Sequence, residues 1–363
     1  MVKPILLDQN KEKLREWLTS QGEAEYRSDQ ILTWVHRLQP IQEMSDLPAP
    51  LRNRLAETFE EGYLALDKQV PSGEEGVDRF LFRLADGEAV EAVRIGETED
   101  YTACISTQVG CGLRCAFCAS GKFGLERNLS VGEILGQVYG IRRAVADKTG
   151  KDGWPRHLVY MGMGEPFQNY RNTLDSIRRL IDPQGPNFGA RRITVSTVGM
   201  APEIYRFARE NLQVTLAVSL HAPNSDLRRS IMPVEEVYPL ATLLRACEYY
   251  IEKTSRRLTF EYVLLKGIND TPREAKKLVE TFKTWKLVHF NLIRYNPIGL
   301  TKMRTPKLQE AQAFLNRLRE GGLNATLRKS PGKQIDAACG QLRGLEYEKA
   351  GVRPRAAAEE EEE

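Results

Sequence analysis

The sequence has no run of about twenty apolar residues, the length a helix needs to cross a bilayer, so a membrane role is not expected. It also lacks a secretory signal, because the opening MVKPILLDQNKEKLREW meets an acid and several lysines at once; the chain reads as cytoplasmic. No internal repeat of fixed period and no low-complexity linker interrupts it. Charge of one sign is scarce, with 52 Lys plus Arg against 49 Asp plus Glu. Five of those acids stand in the terminal run Glu359 to Glu363, however, and without them the basic excess is eight. A folded body of that sign suits a polyanionic partner. The end of the chain, residues 346–363 with its AAAEEEEE run, reads as a solvated, disordered acidic tail. What remains is an ordinary globular composition, long enough for one large domain with an appendage or two smaller ones.

Residues 1–75 carry helical periodicity in LREWLTSQ, SDQILTWVHRL and LRNRLAETF, with Ser28 as the expected cap of the second helix. Lys11, Lys13, Arg15, Arg27, Arg37, Arg52 and Arg54 decorate this small helical domain, either as phosphate contacts or as a solvated helix face. From Asp78 the rhythm becomes DRFLFRLADGEAVEAVRI, two alternating stretches around an Asp-Gly pair that predicts a tight hairpin. Apolar strand candidates then follow: TACIS, HLVYM, RITVS, VTLAVSL, LTFEYVLL, VHFNLI and NATLRK. Helical stretches such as VGEILGQVYGIRRAV, YPLATLLRACEYYIEK and REAKKLVETFKTW alternate with them, which predicts a parallel sheet. GMGEP, STVG, SLHA, LLKGIND and RYNP close several strands, so the polar chemistry gathers at the carboxyl edge of that sheet, where α/β proteins bind ligands.

Six cysteines are present, and three of them crowd into Cys111-Gly-Leu-Arg-Cys115-Ala-Phe-Cys118 directly after TACIS. Three thiolates on a tight loop suit three irons of a cubane cluster, with the fourth iron open to a small molecule. A zinc site is the alternative, although zinc favours four closed ligands in two separated pairs; Cys104 would have to complete it. A disulfide framework does not fit a cytoplasmic address. Cys247, with apolar neighbours at helical spacing, reads as packing, and His36, His157 and His289 belong to no recognisable constellation.

The pattern C-x-x-x-C-x-aromatic-C, here with Phe117, resembles the radical S-adenosylmethionine superfamily. CISTQVGCGLRCAFCASG, RNLSVGEI, YMGMGEPFQNY, ITVSTVG, SLHAPNSDLRRSIMP, FEYVLLKGIND and IDAACGQL together resemble the dual-specificity adenine-2 methyltransferases of ribosomal and transfer RNA, across residues 76–345. The helical start resembles that family's accessory RNA-binding domain. The resemblance implies an α/β core forming a partial, open (β/α)6 TIM-like barrel of about six parallel strands, extended by extra strands and preceded by the helical domain.

It also implies one 4Fe–4S cluster on Cys111, Cys115 and Cys118, and S-adenosylmethionine held by Gly164, Glu165, Ser196, Ser219, Leu220, His221 and Asn296. Two S-adenosylmethionine molecules serve each turnover in such enzymes. One methylates Cys339, and the other yields a 5′-deoxyadenosyl radical that draws hydrogen from the S-methyl group. The resulting thiomethylene radical adds to carbon 2 of adenine, Glu91 accepts the proton, and Cys104 forms a disulfide with Cys339. Expected partners are 23S rRNA, tRNA and an external electron donor, with a monomeric enzyme compatible. A carbon-8 adenine methyltransferase of 23S rRNA shares the cluster and both thiols; a non-catalytic, zinc-stabilised RNA-binding module is the reading of a different class.

Overall fold

The structure is a computed structural model that describes residues 3–37, 39–73, 76–97, 100–151 and 153–342; the expected acidic tail lies outside them. Three N-terminal helices form as their periodicity predicts: α1 (Lys11–Ser20), α2 (Arg27–His36) and α3 (Ala49–Thr58). Leu14, Leu18, Ile31, Val35, Leu51 and Leu55 face inward and are buried. Asn10 caps α1 by accepting from Lys13 N. Ser28 does not cap α2. The helix begins one residue earlier, and the Ser28 hydroxyl instead donates to Glu25 O at 2.7 Å, because the preceding turn runs into the helix without an extended cap residue. The basic decoration is largely tied down. Lys11 pairs with Asp29, Arg27 and Arg54 both pair with Glu23, and Arg52 donates to the carbonyls of Met44 and Leu47.

Ten strands form one sheet. β1 (Ala65–Pro71), β2 (Val77–Arg83) and β3 (Ala89–Gly96) are antiparallel, and β3 pairs antiparallel with β4 (Tyr101–Cys104). A separate two-stranded hairpin follows, β5 (Gln108–Cys111) and β6 (Gly124–Asn128). The main sheet then continues in parallel from β4 through β7 (His157–Tyr160), β8 (Ile193–Thr197), β9 (Thr215–Ser219), β10 (Leu258–Leu264) and β11 (Val288–Arg294) to β12 (Ala325–Arg328).

Helices α4 (Val131–Thr149), α5 (Tyr170–Ile181), α6 (Ala201–Phe207), α7 (Ser225–Ile231), α8 (Leu240–Thr254), α9 (Pro272–Phe282) and α10 (Leu308–Glu320) connect these strands. Six strand-to-helix units, closed by β12, make the expected open (β/α)6 barrel. Among the described residues no helix is long and apolar enough to cross a membrane.

The predicted hairpin between β2 and β3 is present, with Gly87 at φ 89° and Leu84 N–H donating to Glu88 O at 2.8 Å. Its strands do not alternate between core and solvent as expected. Both faces are covered: Phe80 and Phe82 pack under α4, where Gly140 leaves no room for a Cβ, which would lie 2.4 Å from Phe82. The helical unit docks on the same core. Asp8 accepts from Gly132 N at 2.6 Å in the first turn of α4, where a carboxylate also meets the helix dipole, and Arg142 donates to His36 O at 2.8 Å.

Candidate active site

At the carboxyl edge of the parallel sheet, the loops after β7, β8 and β9 and the chain after β12 line a cavity. Gly164, Glu165, Ser196, Ser219, His221 and Asn296 all line it, with Phe117, Cys118 and Cys339. Leu220 does not; its side chain is fully buried in the main core and its N–H donates to Glu261 O at 3.0 Å. A second, smaller cavity shares Cys118, Arg328 and Cys339 with the first and adds Cys104. Cys339 therefore stands on the wall between the two.

The cysteine loop does not follow β4 directly, as the sequence led us to expect. The β5–β6 hairpin carries it: Cys111 ends β5, and the chain turns through Arg114 at φ 51°. Gly121 seals the turn, since a Cβ there would lie 3.1 Å from Arg114 Cα. Ala116 N–H donates to Ile231 O at 2.9 Å, and Ala119 N–H to Gly340 O at 2.7 Å. Burial pushes the Cys111 thiol up to about 12, with Cys118 adding to the effect; burial also raises Cys115 and Cys118. The N–H of Leu113 at Cys111, and those of Ser120 and Gly121 with the Ser120 hydroxyl at Cys118, oppose the rise. Such donors stabilise negative sulfur, including metal-bound sulfur. Among the described residues no three His, Cys, Asp or Glu side chains converge on a single ion. Three thiols on one short loop, met by N–H donors, suit a polynuclear cluster, in which each sulfur ligates its own iron.

The wall of the larger cavity is built by short-range constraints. Gly164 sits at φ 95°, and a Cβ there would lie 2.5 Å from Gln108 Cβ, so the loop approaches β5 as only glycine permits. Glu165 accepts from Phe167 N at 3.0 Å and from Val198 N at 2.8 Å, tying the loop after β7 to the loop after β8. Burial raises its carboxyl to about 7, against those hydrogen bonds. His221, at φ 54°, accepts from Val263 N through Nδ1 at 2.9 Å and stacks edge-on to Phe117. Burial and, second, Arg228 push its pKa down to about 3, so it is a neutral wall residue. Behind this wall the fully buried Arg228 of α7 pairs with Glu235 at 2.7 Å and donates to Val198 O at 2.6 Å.

The segment after β12 is fastened over the site. Asn296 donates to Cys339 O at 3.1 Å, Gln341 to Pro297 O at 2.9 Å, and Ser120 to Leu342 O at 3.1 Å. Cys339 is exposed to the cavity space yet lies deep among protein atoms; that desolvation raises its thiol, while Arg328 lowers it. Cys104 is buried, and burial with a smaller contribution from Cys339 pushes it up to about 12.

Glu91 is not on either cavity wall. It lies on the same face of β3 as Val93, which lines the second cavity, and its carboxylate pairs with Arg79 at 3.1 Å. Cys247 is packed in the core, as its spacing predicts. Sequence reasoning passed over two charged cavity residues, Glu261 of β10 and Arg328 of β12. A lone acid inside the otherwise apolar LTFEYVLL was the available signal for the first.

Comparison with known proteins agrees with this geometry. Residues 105–279 match the Radical SAM superfamily, and residues 5–60 match the Ribosomal RNA large subunit methyltransferase N-terminal domain. A protein of Listeria monocytogenes serotype 4a (strain HCC23), described as "Probable dual-specificity RNA methyltransferase RlmN", is 40% identical over 96% of this chain and 97% of its own. A counterpart with the same description from Streptococcus sanguinis (strain SK36) is 42% identical over 94% and 95%. A crystal structure of a radical SAM methyltransferase from Sphaerobacter thermophilus superposes with a TM-score of 0.89 at 42% identity, covering 94% of this chain and 99% of that one.

Proposed function

The chain belongs to the RlmN family of radical SAM RNA methyltransferases, and on that premise we propose that it methylates carbon 2 of adenine in 23S rRNA and tRNA through a methylated Cys339. The observation that carries the proposal is the placement of Cys339 on the wall shared by two cavities, one lined by the expected cofactor residues and the other by Cys104.

Membership implies a 4Fe–4S cluster, for which Cys111, Cys115 and Cys118 are the ligands we assign, and S-adenosylmethionine in the larger cavity. When bound, these supply a methyl group and a carbon-centred radical. The chain's own residues do the rest. Cys339 receives the methyl group as a thiolate, a charge that Arg328 on the same wall favours. Asn296 holds the Cys339 carbonyl and so fixes where that sulfur can reach. Glu91, held by Arg79, accepts the proton from carbon 2; Cys104, as a thiolate, then attacks the Cys339 sulfur and breaks that sulfur's bond to the delivered carbon, the odd electron returns to the external carrier, and an external thiol must reopen the resulting disulfide. Two S-adenosylmethionine molecules serve each turnover, and an external one-electron donor drives it.

The target adenine must leave its stack to reach the cavity. Residues 1–75 act as the accessory RNA-binding domain, and the enzyme works in the cytoplasm. Because four of its seven expected phosphate-binding cations are tied up internally, the domain contributes shape as much as charge.

The test is methylation of purified RNA by the anaerobically reconstituted enzyme, with digestion and mass spectrometry against 2-methyl- and 8-methyladenosine standards. The proposal expects 2-methyladenosine, abolished by Cys339→Ala. Methyl at carbon 8, or full activity in that variant, rejects it.

A further inference from the structure

Two buried ion pairs bridge β2 and β3, one on each face of the sheet, and they are built differently. Asp78 and Arg94 are direct cross-strand partners on the face of Phe80 and Phe82. There the guanidinium meets Asp78 Oδ2 through Nε and Nη2, both at 2.8 Å, and its Nη1 donates to Gly96 O. Arg79 and Glu91, on the face shared with Val93 and the second cavity, are only diagonal neighbours: Arg79 stands opposite Val93, and Glu91 opposite Leu81. Their one contact, Nη1 to Oε1 at 3.1 Å, lacks hydrogen-bond direction, since Arg79 Nη1 is buried and donates to nothing.

A guanidinium carries five donors in a fork suited to two-point contact with a carboxylate. Arg94 uses that fork, and Arg79, equally buried, does not. Arg79 therefore holds Glu91 through charge rather than through directed hydrogen bonds. That distinction matters for a base. A carboxylate clamped at two points has its lone pairs occupied, whereas one that is only neutralised keeps them for an incoming proton. Burial by itself would favour the neutral acid, which cannot accept one. Leu81 and Val93 flank Glu91 on its face; Met163 Sδ accepts from Glu91 N at 3.4 Å, and Ser106 Oγ donates to Glu91 O at 2.6 Å. These four side chains are uncharged.

We propose that Arg79 is a positioning residue whose charge keeps Glu91 ionised at neutral pH, so that the base is ready before the adenine arrives. The proposal rests on the reading of Glu91 as the proton acceptor. In that step the bond from carbon 2 to its hydrogen breaks, the electron pair stays with the ring, and the proton goes to a Glu91 oxygen. A buried cation is then left beside a neutral acid, which favours release of the proton before the next turnover. Register places the pair suitably. Arg79, Val93 and Cys104 form one cross-strand row, and Glu91, two residues before Val93, stands on the same face roughly 7 Å along β3.

The experiment follows one methylation cycle of the cluster-loaded enzyme on RNA carrying deuterium at carbon 2 of the target adenine, quenched across a pH series. Slow proton loss leaves the base joined to Cys339 through the methylene with its deuterium retained, and mass spectrometry of the digested conjugate counts it. Slow attack by Cys104 leaves a conjugate without deuterium, so the two delays are distinguished. Wild type should retain deuterium only below about pH 6. Removing the cation raises the pH at which Glu91 takes a proton, so Arg79→Met should move that boundary up by about 1–3 pH units, the usual effect of one nearby opposite charge. Arg79→Lys should restore it. Asp78→Leu combined with Arg94→Met, which empties the other face of its pair, should leave the boundary in place. An unmoved boundary in Arg79→Met, a shift that lysine does not reverse, or an equal shift in the Asp78 and Arg94 double variant would overturn the proposal. If iron content or circular dichroism of Arg79→Met departs from wild type, Arg79→Gln carries the same expectation, and a wild-type boundary above about pH 6 overturns the proposal on its own. Glu91→Gln should retain deuterium at every pH; loss at the wild-type rate would instead reject Glu91 as the base.

Discussion

Arg228→Met is expected to destabilise the protein by about 3–5 kcal/mol, the usual cost of removing one partner from a buried ion pair. Arg228 and Glu235 are both fully buried, 2.7 Å apart. Methionine fills most of the volume, so the loss is electrostatic: Glu235 Oε2 keeps its charge with no cation, while its Oε1 still accepts from Leu240 N at 2.8 Å. Val198 O also loses its 2.6 Å donor, and Val198 N is the group that holds Glu165. The damage should therefore reach the cofactor wall as weaker S-adenosylhomocysteine binding. Pairing the change with Glu235→Leu removes the stranded charge, and the double variant should be more stable than Arg228→Met alone. Urea unfolding followed by circular dichroism reads all three. A single-variant cost under about 1 kcal/mol, or losses that simply add, would refute the claim that this pair is desolvated.

Gly164→Ala forces a Cβ to 2.5 Å from Gln108 Cβ at a φ of 95°, and should cost on the order of 2 kcal/mol while weakening cofactor binding; an unshifted thermal midpoint would contradict it. His36 gives an acid limb. Burial and then Arg179 push its pKa down from 6.5 to about 4, so the unfolded chain binds that proton first as pH falls. Stability should be complete above about pH 6.5 and decline toward pH 4 by on the order of 3 kcal/mol, and His36→Gln should flatten this slope in urea titrations. Asn296→Ala removes the 3.1 Å bond to Cys339 O, and hydrogen exchange across 337–342 should quicken; unchanged protection would show that the segment is fixed by other contacts.

All seven parallel strands were legible because each is an apolar run bounded by polar or glycine-rich motifs, which is what burial on two faces requires. The β5–β6 hairpin was not. Its strands, QVGC and GLERN, are short, poor in apolar alternation and broken by a register shift at Val109–Gly110, so tertiary contacts hold them rather than local preference. Among site residues, those carried by spacing, such as Cys111, Cys115 and Cys118, stood out. Glu261 and Arg228 did not, since a charge inside an apolar strand or a basic helix end declares its role only when its neighbours are known. Glu91 was legible as a candidate, but its partner, Arg79, was not.

The fastening of residues 337–342 onto the cysteine loop has a bearing on how the molecule is made. The thiols at 111, 115 and 118 leave the ribosome long before Cys339, yet Gly340 and Leu342 provide the acceptors for Ala119 and Ser120. During synthesis the cysteine loop is thus uncapped on that side until nearly the whole described chain has emerged.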